Sequence, residues 1–194
     1  MKKAPYILTA LALMVSLAVP VSAAAPSTES PQITVTQVTD PMRWAVERGL
    51  MSDAAGGDTV THALVAGALY RMSGSPAVTG CHFSDVRIGD DGWNAARWAV
   101  DHSVFFMYDN GAFAPDNTLS RDGLIRAMQR YARAVGLDDP NNSYRVGVSW
   151  ALETGVLVPD ADGTIRTDVP ATGRDLAQAL YGLHSYYGGG GEGK

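Results

Sequence analysis

Cysteine is almost absent from this chain of 194 residues. Its single Cys81 permits no internal disulfide, so stability has to come from a hydrophobic core or from association rather than cross-links. Clustered positive charge is missing too. With 15 Lys and Arg against 20 Asp and Glu the chain is net −5 at neutral pH, whereas a sequence-independent nucleic-acid binder needs basic clusters to displace counterions from phosphate. The longest apolar run, Ile7 to Val19, is shorter than the roughly 20 residues that span a bilayer, and no later stretch comes closer. A transmembrane segment in the mature chain is therefore not expected. His62, His82, His102 and His184 show no His-Glu-x-x-His or other metal spacing, and no Gly-x-Ser-x-Gly occurs, so no catalytic residue, metal or cofactor is indicated.

What is present begins with an address. Met1-Lys2-Lys3 is a basic start, the apolar run follows, and Val21-Ser22-Ala23 offers small residues for cleavage, which together read as a secretory signal peptide over 1–23. Removing it with its two lysines takes the net charge from −5 to −7. Residues 24–37, rich in Pro, Ser and Thr, read as a flexible leader, and the Gly-rich stretch 188–194 as a tail.

Between them one pattern recurs three times: Trp44-Ala45-Val46, Trp98-Ala99-Val100 and Trp150-Ala151-Leu152, spaced by 54 and 52 residues. This spacing predicts one module, 38–187, of three tandem helix-loop-helix repeats at about 38–76, 81–136 and 138–187. Asp40-Pro41 before Met42 and Gly49 after Arg48 supply the cap, first-turn proline and stop of a short helix. The matching helix of the third repeat carries Tyr144, Val148, Ala151 and Leu152 on one face. The second helix of each repeat is written more clearly, with Val65, Ala68, Leu69 and Met72, then Leu124, Ala127, Met128 and Tyr131, then Leu176, Ala179, Leu180 and Leu183 each at i, i+3, i+4 and i+7. Thr61, Ser120 and Thr172 stand four residues ahead of these stripes as N-caps. From Trp to cap is 17 residues in the first repeat and 22 in the other two, so the first connection is five residues short. Asp160-Ala161-Asp162-Gly163 reads as a turn rather than a calcium loop, because Val158 and Val169 stand where the first and twelfth ligands belong. Glu47, Asp101 and Glu153 recur at one place after each Trp, which repetition explains better than the paired carboxylates of a glycosidase.

In the second repeat Phe83-Ser84-Asp85-Val86, Trp98-Ala99-Val100, Gly111-Ala112-Phe113-Ala114-Pro115-Asp116 and Ser120-Arg121-Asp122-Gly123 stand in order. This resembles the S-layer homology repeat, whose pattern runs Phe-x-Asp-Val, Trp-Ala-Val-x-x-Gly, Gly-x-Phe-x-Pro and Thr-Arg-Ala-Glu. The other two repeats match more loosely. The resemblance implies an all-α module with pseudo-threefold symmetry, one helix of each repeat in a central three-helix bundle and grooves between neighbours. It also implies non-covalent binding to cell-wall polysaccharide, an anionic secondary polymer carrying ketal-linked pyruvate, by a secreted protein held at the cell wall or cell surface.

The Thr-Arg-Ala-Glu segment has its own physics. Thr and Glu form a capping box, and an Arg between them sits where the helix dipole disfavours a cation by roughly 0.3–1 kcal/mol, an arrangement that makes sense if free N–H groups and the guanidinium converge on a bound carboxylate. Here the Arg position holds His62, Arg121 and Gly173 in turn, with Arg174 one residue late. Arg121 is the leading expected ligand contact, with Asp85 and Trp98 beside it; all three tryptophans also suit packing on short helices next to Ala and Val. The alternative function is a protein-interaction or surface-assembly module that kept the fold and lost glycan binding, with a surface-protein partner.

Overall fold

A computed structural model describes residues 40–80, 82–90, 92–137 and 147–188. The expected signal peptide and leader, Cys81, Tyr144 with the start of the third repeat, and the tail beyond Gly188 lie outside these residues. Among the described residues six α-helices follow one another: α1 (Pro41–Glu47), α2 (His62–Met72), α3 (Trp93–Asp101), α4 (Arg121–Ala134), α5 (Val148–Glu153) and α6 (Gly173–Leu183). A 3-10 turn covers Asp53–Gly57 and a π turn His184–Gly188. No strand occurs among the described residues, and the fold class is all-α.

The helices start where their own side chains can satisfy orphan amides. The Asp40 carboxylate accepts from the Met42 N–H at 3.0 Å, and Pro41 takes the first position, where a missing N–H costs nothing. The hydroxyls of Thr61, Ser120 and Thr172 accept from the N–H groups of Leu64, Gly123 and Asp175. Only Thr172 completes a reciprocal capping box, its N–H donating to Asp175 at 2.8 Å. The Trp-bearing helices stop alike. Five residues after each Trp, Gly49, Ser103 and Gly155 adopt φ of 66°, 55° and 71°, the left-handed geometry that closes a helix. Ser103 takes it despite its Cβ, a cost of roughly 1 kcal/mol.

Packing follows the apolar stripes. Val65, Ala68, Leu69, Leu124, Ala127, Met128, Tyr131, Leu176, Ala179, Leu180 and Leu183 are all buried, each large aliphatic side chain contributing about 1.5–3 kcal/mol by leaving water. Leu152 does not join them; it is 37% exposed on the six-residue α5. Helix α4 touches both α2 and α6, while each short helix packs on the long helix preceding it in the chain: α3 on α2 and α5 on α4. Helix α1 has no predecessor among them, and it packs on α6. Just before the caps the backbone closes on itself. Val60 N–H donates to Ala171 C=O, Ala171 N–H to Leu119 C=O and Leu119 N–H to Val60 C=O, each at 2.9 Å. That ring satisfies amides which burial would otherwise leave costly, and it holds the starts of α2, α4 and α6 together.

Candidate functional site

The site is built from those three helix starts and the loops laid across them. At α2 the His62 and Ala63 N–H groups donate to the carbonyls of Asn117 and Pro115 at 2.9 and 3.0 Å. At α4 the Arg121 and Asp122 N–H groups donate to Val169 and Thr167 at 3.0 and 2.9 Å, and at α6 Gly173 N–H donates to Asp58 at 3.0 Å. The amides expected to meet a ligand carboxylate are therefore taken by neighbouring backbone, which corrects that part of the anion-site argument.

Arg121, the leading sequence candidate, sits at the first position of α4 within a set of protein carboxylates. Its Nη1 donates to Asp160 at 2.8 Å and its Nη2 lies 3.0 Å from Asp175, with all three side chains less than a fifth exposed. Arg166 holds the other oxygen of Asp160 at 2.9 Å. Burial works against charge on Arg121, yet the hydrogen bonds and fields of Asp160 and Asp175 outweigh it and raise its pKa above the ordinary value. The hydrogen bonds from Arg121, then those from Arg166, hold the Asp160 carboxyl below its usual range. In this arrangement Arg121 clamps α4 to the loop before α6 and to the start of α6 itself.

The other two expected contacts have structural partners. Asp85 accepts from the Phe113 and Ala114 N–H groups at 2.9 and 2.7 Å, gripping a loop in which Ala114 has a φ of 56°. Trp98 is 1% exposed, packed against His102, Tyr70 and Tyr131. Its face is unavailable to a sugar, which corrects its reading as a ligand contact. Arg121, Asp85 and Trp98 share no hydrogen-bond, ion-pair or ring partner.

Gly173, in the third Arg position, has a steric reason. A Cβ there would collide with the Ala55 carbonyl and lie 3.0 Å from the Gly56 Cα. In the first connection, five residues shorter than the other two, the turn Asp53–Gly57 packs on α6 and fills the position a side chain would occupy.

The first slot stays open. His62 is stacked on Phe105 with centroids 4.5 Å apart, and its Nδ1 lies 3.3 Å from the Phe113 carbonyl; a carbonyl only accepts, so Nδ1 carries the proton. Burial lowers the His62 pKa, the bond to Phe113 opposing it less strongly, so the imidazole is neutral at pH 7. Beside it runs a groove of about 300 Å³ between Phe105–Tyr108 and the first turns of α4. Phe106 is 58% and Tyr108 48% exposed. Arg130 places its guanidinium 4.8 Å from the Phe106 ring centre and donates to the Val104 carbonyl at 3.3 Å. Arg126 is exposed one turn earlier, bonded to Asp122 at 2.8 Å. Sequence reasoning missed these residues. Its available signal was the run Phe105-Phe106-Met107-Tyr108 between a helix stop and the Asp109-Asn110-Gly111 turn, more consecutive apolar residues than a solvated loop carries without a use.

Aromatic faces beside guanidinium groups suit a ligand with both apolar ring faces and negative charge. No helix among the described residues is long and apolar enough to cross a membrane. No curated protein matches the chain significantly. Residues 82–122, which include Asp85, Trp98, the Phe105–Tyr108 run and Arg121, match the family model of the S-layer homology domain, a kind of module that generally anchors proteins to cell-wall polymers.

Proposed function

We propose that the protein is a secreted, non-catalytic module of three S-layer homology repeats that binds an anionic cell-wall polysaccharide non-covalently. The closed ring of hydrogen bonds through Val60, Leu119 and Ala171 supports the pseudo-threefold arrangement. The observation that carries the binding reading is the groove at the start of α2, where Phe106 and Tyr108 stand exposed beside Arg126 and Arg130. A sugar ring stacks on the aromatic faces, and a pyruvate or uronate carboxylate takes charge-assisted hydrogen bonds from the arginines, Arg126 exchanging its bond to Asp122 for the ligand. Neutral His62 contributes an Nε2 acceptor for a sugar hydroxyl.

Co-sedimentation of the protein with purified wall polymer tests this. The unaltered protein pellets with the polymer, and Phe106→Ala, at an exposed site, weakens binding about tenfold while stability stays within about 0.5 kcal/mol. Polymer that leaves the unaltered protein in solution sinks the reading. That result promotes the second one, a surface-assembly module without glycan binding, which the self-satisfied Arg121 and the filled Gly173 position favour.

A further inference from the structure

A second cleft lies where α1, α2, α4 and α6 end rather than where they begin. It holds about 320 Å³ between Trp44, Arg48, Leu50, Arg71, Tyr131 and His184, at the small end of the range of small-ligand sites, about 300–1,000 Å³. Two arginines line it, and no carboxylate does. Arg71 lies in the last turn of α2, where its Nε and Nη2 both donate to the Leu50 carbonyl at 3.1 and 2.5 Å. Gly67, one turn earlier, leaves room for the guanidinium; a Cβ there would sit 3.3 Å from Nη1. Arg48 caps α1 with its guanidinium 4.7 Å from the centre of the Trp44 ring.

Among the described residues neither arginine has an acidic partner. Burial lowers the pKa of Arg71 with no counter-charge to offset it, although a guanidinium stays charged at neutral pH. In a chain with an excess of acid, two arginines held in place by a ring and a carbonyl but left without carboxylates keep their remaining N–H groups for an external anion. Trp44, itself buried, lies beneath Arg48 and beside His184 at 5.0 Å, and so fixes where the Arg48 guanidinium stands in the cleft.

We propose that this cleft binds the carboxylate of an acidic sugar unit, Arg48 and Arg71 supplying the hydrogen bonds and Trp44 backing the Arg48 guanidinium. The site is separate from the Phe106 groove and does not depend on wall binding there. Calorimetric titration of the protein with digalacturonate and with its neutral counterpart, digalactose, tests it. Digalacturonate binds and digalactose gives no heat. Arg48→Gln, at an exposed position, weakens binding about tenfold, Arg71→Lys does so through loss of the planar fork despite keeping the charge, and Phe106→Ala leaves it unchanged. In NMR spectra the Trp44 indole and Arg71 Nε–H signals move on titration. Equal binding of digalactose, affinity indifferent to both arginine substitutions, or loss of binding on Phe106→Ala overturns the assignment. Failure of wall co-sedimentation with digalacturonate binding intact removes the proposed wall function and leaves this site standing.

Discussion

The starts of α2 and α4 have the same cap, the same pair of amide-to-carbonyl bonds and the same link to the backbone ring, yet one opens to solvent and the other is shut. The difference lies in two positions. Ten residues after Trp98 stands Tyr108, and ten after Trp150 stands Asp160; three residues after the cap of the next helix stand Gly123 in one case and Asp175 in the other. Two carboxylates therefore surround the cation at Arg121. At His62 the slot residue is neutral and the cations have moved to the rim, on the next helix. A shared backbone thus carries opposite charge layouts, and the side chains of the following loop decide whether an arginine faces a ligand or the protein's own carboxylates.

The most damaging way to break this comparison is to rebuild an arginine where backbone has taken its place. Gly173→Arg is expected to cost at least about 3 kcal/mol, since Ala55 cannot move without displacing the turn Asp53–Gly57; urea denaturation measures it. A stable Gly173→Arg protein would show that the Asp53–Gly57 turn does not close this slot.

Arg121→Ala separates clamp from ligand contact. The clamp account predicts a melting temperature lower by several degrees with wall co-sedimentation retained; lost sedimentation at unchanged stability would return Arg121 to the ligand. The pH dependence has a definite sign. Asp160 titrates below its ordinary 3.8 in the folded protein, so its contribution is complete above that value and disappears as pH falls through the folded pKa. Acid melts of the unaltered protein should steepen below about pH 4, and those of Arg121→Ala should be flatter there.

The smallest effect concerns the helix stops, where Ser103 alone of the three carries a Cβ at positive φ. Ser103→Gly should raise stability by roughly 0.5–1 kcal/mol, relief of the left-handed strain exceeding the added chain entropy. A destabilised variant would indicate that the Ser103 side chain contributes something the backbone geometry does not reveal.

Much of the fold was legible because its signals are short-range. Asp40, Thr61, Ser120 and Thr172 cap the helices they precede, and the 3.6-residue stripes of α2, α4 and α6 are buried except at Met72, which is half-buried at the end of α2. The Trp-Ala-Val segments also suit packing, and Trp98 is core. The site was less legible. Asp85 is a loop grip whose partners lie 28 and 29 residues away, and nothing near Arg121 in sequence announces Asp160, 39 residues on.

By itself, then, the sequence determined the helices, their ends and their buried faces, because capping, turn geometry and periodicity act within one or two turns of the chain. The tertiary structure alone decided that α1 packs on α6, that a backbone turn occupies the space beside Gly173, and that Arg121 meets two carboxylates while Phe106 and Arg126 face solvent. Electrostatic and steric neighbours are set by distance in space, and at these helix starts the nearest groups come from distant parts of the chain.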